Sequence, residues 1–371
     1  MHPTLLVGPA DWDPKEMPRE EFDERLTALW RDHPNASGAI VYGNSSDHAA
    51  LAYLTNFTPK LEAALAFIPR RGEAQLLVGG GVNMVPAARP LTFVENLAPL
   101  REAAKAAAAW AHTLPAGDIL LIGGEAMPTS MHRTFDQALG ADRKIETDAT
   151  LQARMTTKRP RELHALRAAC ATLDAAAQAL RAASHNRKSV TDCILLAELA
   201  ALQRGAQDVR SLFSLDGGRT LRPFDIPLAE GRDVLQVYLA VRQSGYWVDG
   251  FVRVTPAGDA LQEKIGGILD AMIAAAKPGL SCRDFAKLAD AERGSFQLHP
   301  LAGNVFGNSI GLALDEPPIL ARDSNARLEA GAVYSLRTGL LDETGAGAIS
   351  SAIVAMTAGG SDILWRDGAK P

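Results

Sequence analysis

Cysteine is scarce: Cys170, Cys193 and Cys282 are odd in number and far apart. They form no CxxC pair and no disulfide framework, which points to a reducing compartment. Long apolar runs are absent too, and none reaches the ~18 residues of a membrane span. The opening stretch, MHPTLLVGPADWDP, shows no basic segment followed by an apolar core, so no signal peptide is read and a cytoplasmic protein is expected. Charge of one sign is not in excess. A formal net charge of -5 with both signs interspersed speaks against a nucleic-acid track. The basic cluster Arg154, Lys158, Arg159 and Arg161 is short and reads as a linker entering a helix. Gly79-Gly80-Gly81 and Gly123-Gly124 each follow an apolar run, but neither completes GxGxxG, so turns are read in place of a nucleotide cradle. Histidine is missing altogether from residues 300–371.

What is present suits a soluble globular chain: 371 residues, 47% of them hydrophobic, give room for two domains at ~150 residues each. In residues 19–32, Phe22, Leu26, Leu29 and Trp30 recur at helical spacing. Short apolar runs at 39–42, 64–68, 75–78, 91–94 and 119–122 read as strands, and 50–57 is an apolar run ending in a turn at Thr58-Pro59. The alanine-rich stretch 99–112 reads as helix. Residues 1–150 are therefore expected to be an α/β domain. Beyond them, 154–184 predicts one long helix with Pro160 in its first turn and Leu163, Leu166, Cys170, Leu173, Ala177 and Leu180 on one stripe. Cys170 lies on that stripe as a core residue, and His164 lies off it, in solvent. Further helices are predicted from Thr191 as N-cap to Arg204, over 260–276, and from Ser281 onward. Strand-like runs at 234–241, 246–254, 333–336 and 349–356 make residues 151–371 an α+β domain.

One stretch organises the second domain: Gly307-Asn308-Ser309-Ile310-Gly311-Leu312, followed by Asp315-Glu316-Pro317. Alone it reads as a tight turn feeding a β segment, with the glycines permitting unusual backbone and Pro317 and Pro318 excluding helix. Six such places resemble the creatinase/prolidase/methionine-aminopeptidase family in order and spacing: Tyr53–Phe57, Arg154–Glu162, Gly245–Asp249 with Arg253, Ala275–Gly279 with Asp284, Gly307–Pro317 and Gly331–Leu336. The resemblance implies a creatinase-like N-terminal α/β domain, a C-terminal pita-bread domain and a homodimer. In metal-dependent relatives two divalent ions are held by Asp, Asp, His, Glu and Glu. Carried over by position, these fall on Tyr238, Asp249, Asn308, Arg337 and near Ser351, and a further family His falls on Asp315. One acid and one arginine stand where relatives carry four acids, and hard divalent ions need anionic oxygen or imidazole ligands. Two like charges at ~4 Å repel by about 4 kcal/mol at an effective dielectric of 20. No metal and no other cofactor is therefore expected, and Asp249 is expected to pair with Arg337 and stay ionised.

Asp249 and the adjacent acids Asp315 and Glu316 are the candidate catalytic groups, because neighbouring carboxyls push their pKa values apart. Arg219, Arg222, Arg337, Tyr238, Asn308 and His299 are candidate ligand-binding residues. Arg219, Arg222 and Asp225 lie in a loop that reads equally as an anion-binding loop or a solvated one; His299 reads as structural or as facing the pocket, and Trp247 and Phe306 as core. Three functions stay open. One is a metal-independent enzyme cleaving a C–N bond in a small carboxylate-bearing substrate. Another is a catalytically inactive relative binding a peptide or metabolite. The third is an Xaa-Pro dipeptidase or aminopeptidase, against which the missing histidine counts. The partner expected in each case is a small molecule or short peptide, not nucleic acid or membrane.

Overall fold

The computed structural model describes residues 11–139, 145–148, 150–186, 188–223 and 233–368. The chain divides into two compact units, Met1–Met155 and Thr156–Pro371. Among the described residues no helix is long and apolar enough to cross a membrane.

The first unit runs α1 (Arg19–Asp32), β1 (Ala36–Gly43), α2 (Ala49–Thr55), β2 (Ala64–Pro69), β3 (Gln75–Val78), α3 (Val85–Ala88), β4 (Asn96–Pro99), α4 (Ala103–Thr113), β5 (Asp118–Ile122), α5 (Thr129–Leu139) and β6 (Ile145–Thr147). Its six strands form one sheet in the order β4-β3-β2-β1-β5-β6. Ile40, Leu65, Phe67, Leu121 and Phe135 share its core. The run 50–57 is mostly helix, closed by Asn56 in the left-handed conformation (φ 59°). The α/β expectation holds, with one local correction. The run 91–94 is no strand; Leu91 ends a 3-10 turn beside Pro90, and the strand comes later, at β4.

After α6 (Leu151–Thr156) the second unit runs α7 (Pro160–His185), α8 (Val190–Gln203), β7 (Asp208–Phe213), β8 (Leu235–Gln243), β9 (Tyr246–Val254), α9 (Ala260–Ala275), α10 (Cys282–Arg293), β10 (Gln297–Leu298), β11 (Val305–Ser309), β12 (Glu316–Ala321), β13 (Val333–Leu341), β14 (Gly347–Met356) and β15 (Ser361–Arg366). The helix predicted over 154–184 is thus two. Pro160 forces the residue before it out of the helical region, and Arg159 is extended (ψ 161°). Glu162 then accepts from Arg159 N (3.1 Å) and caps α7. The cap of α8 is Ser189, which accepts from Asp192 N (3.0 Å); Thr191 lies inside the helix. Cys170 is buried and His164 exposed, as their places on the stripe require.

Two antiparallel sheets form the body of this unit, β7-β8-β9 and β12-β11-β13-β14-β15. Helix α7 packs on β8 and β9, and α9 on β13 and β14. Side chains of alternate strand residues meet across the sheets and stitch them. Phe251 N donates to Ser351 Oγ (2.7 Å), Ile349 N to Gln236 Oε1 (3.0 Å) and Arg253 Nη1 to Gly347 O (2.7 Å). The organising stretch is not a turn at its start. Gly307, Asn308 and Ser309 belong to β11, paired with both β12 and β13, and the chain bends only at 311–315. Pro317 and Pro318 sit in β12, the edge strand, where missing N–H donors are tolerated.

Candidate functional site

Strand register decides what meets what. Asn308 on β11 lies opposite Ser335 on β13, and Arg337, two residues on, shares that face opposite Ser351 on β14. Arg337 Nη1 donates to Asn308 Oδ1 (3.1 Å). Asn308 is fully buried, and its Nδ2 donates to two backbone carbonyls, Ser309 O (2.8 Å) and Leu314 O (2.7 Å). Its amide orientation is therefore fixed, since the flipped form would set an oxygen against two oxygens.

On the other sheet, Asp249 lies opposite Ala240, and Tyr238 is its diagonal neighbour across the β8–β9 hairpin. Tyr238 Oη donates to Asp249 Oδ2 (3.0 Å), while among the described residues no donor lies in hydrogen-bond geometry to the buried Oδ1, Ser335 being close enough only to act on the carboxyl's titration. Asp249 is 4% exposed. Burial pushes its pKa up, against the contrary pull of Ser335, Arg337 and Tyr238; the nearby Asp315 adds to the rise. Burial and the Asp249 charge likewise hold the Tyr238 phenol in its protonated form.

The expected pairing of Asp249 with Arg337 is corrected here. No ion pair joins them among the described residues, and the carboxyl is biased towards its neutral form. Arg337 is half-buried and takes an amide, not a carboxylate, as its partner. A sign follows for stability. Between the ordinary carboxylate range and the raised value, folded Asp249 keeps a proton that the unfolded chain has released. Stability therefore falls as pH rises through that window and is regained on acidification towards about pH 4. Asp249→Asn, which mimics the neutral carboxyl, is expected to flatten this slope and to be at least as stable as the native chain at neutral pH. Urea midpoints across the pH range measure it; a clear loss at neutral pH would mean that Asp249 works as a carboxylate.

The other candidates scatter. Glu316 is not poised as an acid or base: Lys158 Nζ donates to its Oε2 (2.6 Å), both side chains being 2% exposed, and Ala313 N donates to Oε1 (3.2 Å). Its partner is Lys158, not Arg337. Asp315 is exposed. His299 is a structural residue. Its buried ring donates from Nε2 to Gly218 O (2.9 Å) and accepts at Nδ1 from Leu301 N (3.1 Å), and burial depresses its pKa. Arg219 is anchored on the β13–β14 turn, donating to Gly345 O (2.9 Å) and Thr344 O (3.3 Å), and Asp216 closes its own loop by accepting from Thr220 N (3.0 Å). Arg222 bridges to Phe213 through its backbone. Asp225 lies outside the described residues. Trp247 and Phe306 are core. Ser335 and Lys158 were not among the expected site residues. Strand alternation places Ser335 on the Arg337 face, and Lys158 stands inside the Arg154–Glu162 motif.

A model of metallopeptidase family M24 matches residues 164–358, more than half of the chain. The chain belongs to metallopeptidase family M24. Among solved structures it is similar to an X-Pro aminopeptidase from Thermotoga maritima (18% identity, TM-score 0.79, 94% of this chain and 97% of that one). It is also similar to a prolidase from Pyrococcus horikoshii (13%, TM-score 0.74, 94% and 99%) and an Xaa-Pro dipeptidase from Bacillus anthracis (18%, TM-score 0.71, 95% and 98%). No curated protein sequence matches the chain. At these identities the likeness establishes the fold, the pita-bread fold of M24 with an N-terminal α/β domain. Family and fold together make this a peptidase-like protein.

The residues of this M24 chain do not fit the dinuclear centre implied by the resemblance. Tyr238 gives its hydroxyl to Asp249, Asn308 Oδ1 is taken by a guanidinium, and Ser351 Oγ accepts a backbone N–H. Among the described residues no group of three or more His, Cys, Asp or Glu is placed to hold a metal ion. An arginine, a permanent cation, stands within the cradle.

Proposed function

We propose that this M24 chain works without a dinuclear metal centre, as a protein that binds a small carboxylate-bearing ligand or a short peptide with a free C-terminus. One observation carries the reading: Arg337 is a half-buried guanidinium that has, among the described residues, an amide and no carboxylate as its partner. Burial raises the pKa of the nearby Asp249 carboxyl, which weakens its hold as a counter-charge to the arginine. A ligand carboxylate supplies what is missing, through a charge-assisted pair. Against turnover stands the state of the candidate bases. Glu316 is locked to Lys158, and both nitrogens of His299 are engaged. The resemblance adds a homodimer, which light scattering on the purified chain measures.

The relatives named above supply the probe. The dipeptide Ala-Pro is expected to bind the purified protein, and its C-terminal amide much more weakly, by titration calorimetry. Arg337→Gln is expected to cost about thirtyfold or more in affinity, in line with the ~2–5 kcal/mol lost when one partner of a buried charge pair is removed. Metal analysis should find no stoichiometric divalent ion, and added manganese should yield no Ala-Pro hydrolysis. Two ions per chain, or wild-type affinity in Arg337→Gln, would overturn the proposal.

A second reading, metal-independent cleavage of a C–N bond, is favoured by one feature. Asp249 is a buried carboxyl whose pKa is raised; with an Oδ1 that has no partner among the described residues, it has the character needed to protonate a leaving nitrogen. Turnover without added metal that disappears in Asp249→Asn while Ala-Pro binding persists would support it.

A further inference from the structure

Asn308 holds one end of Arg337 without neutralising it. A carboxylate at that position would pair with the guanidinium and use up its charge; an amide accepts one N–H and leaves the charge standing. Because Nδ2 is pinned by Ser309 O and Leu314 O, Oδ1 has a single direction, and it meets Arg337 at Nη1. A guanidinium carries five N–H donors in a rigid planar fork, so engagement at Nη1 leaves the Nε–Nη2 edge with two parallel donors. No other hydrogen bond or ion pair of Arg337 is recorded among the described residues.

We propose that Asn308 is the specificity-determining positioning residue of this site: it fixes Arg337 so that the Nε–Nη2 edge receives both oxygens of a planar monoanionic carboxylate side by side. This rests on the reading of Arg337 as the anion receptor and adds how that receptor selects. Two parallel N–H···O bonds match the two oxygens of a carboxylate lying side by side. The backbone explains why the amide sits so firmly. Asn308 lies in the middle strand of three, between β12 and β13, so its Cα cannot drift.

The test separates charge from fork. Arg337→Lys keeps the charge but has no second parallel donor. If Asn308 and the fork act as described, Arg337→Lys loses about tenfold or more of the Ala-Pro affinity, nearly as much as Arg337→Gln, and the preference for Ala-Pro over its C-terminal amide collapses. Asn308→Ala, with Arg337 intact, is expected to weaken Ala-Pro about tenfold and to narrow the same preference, a ratio that a purely structural role would leave alone. Should Asn308→Ala fail to fold, Arg337→Lys decides the matter. Wild-type affinity in Arg337→Lys, or an unchanged preference in a folded Asn308→Ala, overturns the inference and leaves the receptor role of Arg337 standing. Wild-type affinity in Arg337→Gln removes that role itself.

Discussion

Lys158→Ala is expected to destabilise the second unit by about 3–5 kcal/mol, the range found when one member of a buried ion pair is removed. Lys158 and Glu316 are each 2% exposed and 2.6 Å apart. Without the ammonium, Glu316 keeps, among the described residues, one backbone donor, Ala313 N, and no opposing charge. The pair also fastens the segment entering α7 to the bend after β11. Lys158 N donates to Gly331 O (2.9 Å), and Thr156 Oγ1 to Pro317 O (3.2 Å). The double replacement Lys158→Met with Glu316→Leu should come much closer to native stability, since well-packed apolar groups need no charge partner. Urea melts with amide exchange of β11 and β12 as the reporter measure both. A loss below about 1 kcal/mol, typical of solvent-exposed pairs, would mean that water reaches Glu316 and that the pair is not sealed.

Gly307→Ala is expected to cost about 4 kcal/mol or more, enough to threaten soluble expression. Two terms act together. Gly307 has φ +149°, where a side chain is strained, and a Cβ there would lie 1.9 Å from Ser335 O, a backbone atom of the neighbouring strand. Backbone in the middle of a sheet cannot swing aside as a flexible side chain can. The register carrying Asn308 opposite Ser335 would have to give, so a partly folded variant should also lose its ligand. A variant with native melting behaviour would show that β11 and β13 do not run this close.

The sequence made much of this legible, and its silences have physical causes. Alternation and periodicity located β9 and α9 to within a residue or two, and Ser281 marked where α10 starts, because a cap is a local signal written next to the helix it begins. Asp249 and Tyr238 were placed together by the resemblance alone; the structure shows the physical reason, a hairpin that turns eleven residues of separation into a diagonal contact. The partner of Arg337 could not. Charge alone points to Asp249, but Asp249 sits on the three-stranded sheet, while pleat and register put Asn308 on the arginine's own face. Inter-sheet distances are not written in local pattern. Gly311 carries a similar lesson. Its φ is not positive; a Cβ would sit 2.7 Å from Lys158 Nζ and 2.9 Å from Glu316 Oε1, so the ends of that buried pair would have to shift. The glycine serves a contact with residues far along the chain, which a reading of local backbone freedom cannot reveal.

Ser351 gives the site a ratchet. Its hydroxyl accepts the Phe251 amide and ties β14 to β9, and Arg337 is its cross-strand neighbour. A glutamate placed at 351 is expected to pair with this arginine and not to stand ready for an ion. At four of the five positions that the resemblance assigns to ligands, Tyr238, Asn308, Arg337 and Ser351, the side chain has another partner, so a single substitution to an acid there is expected to forfeit a bond and not to create an ion site.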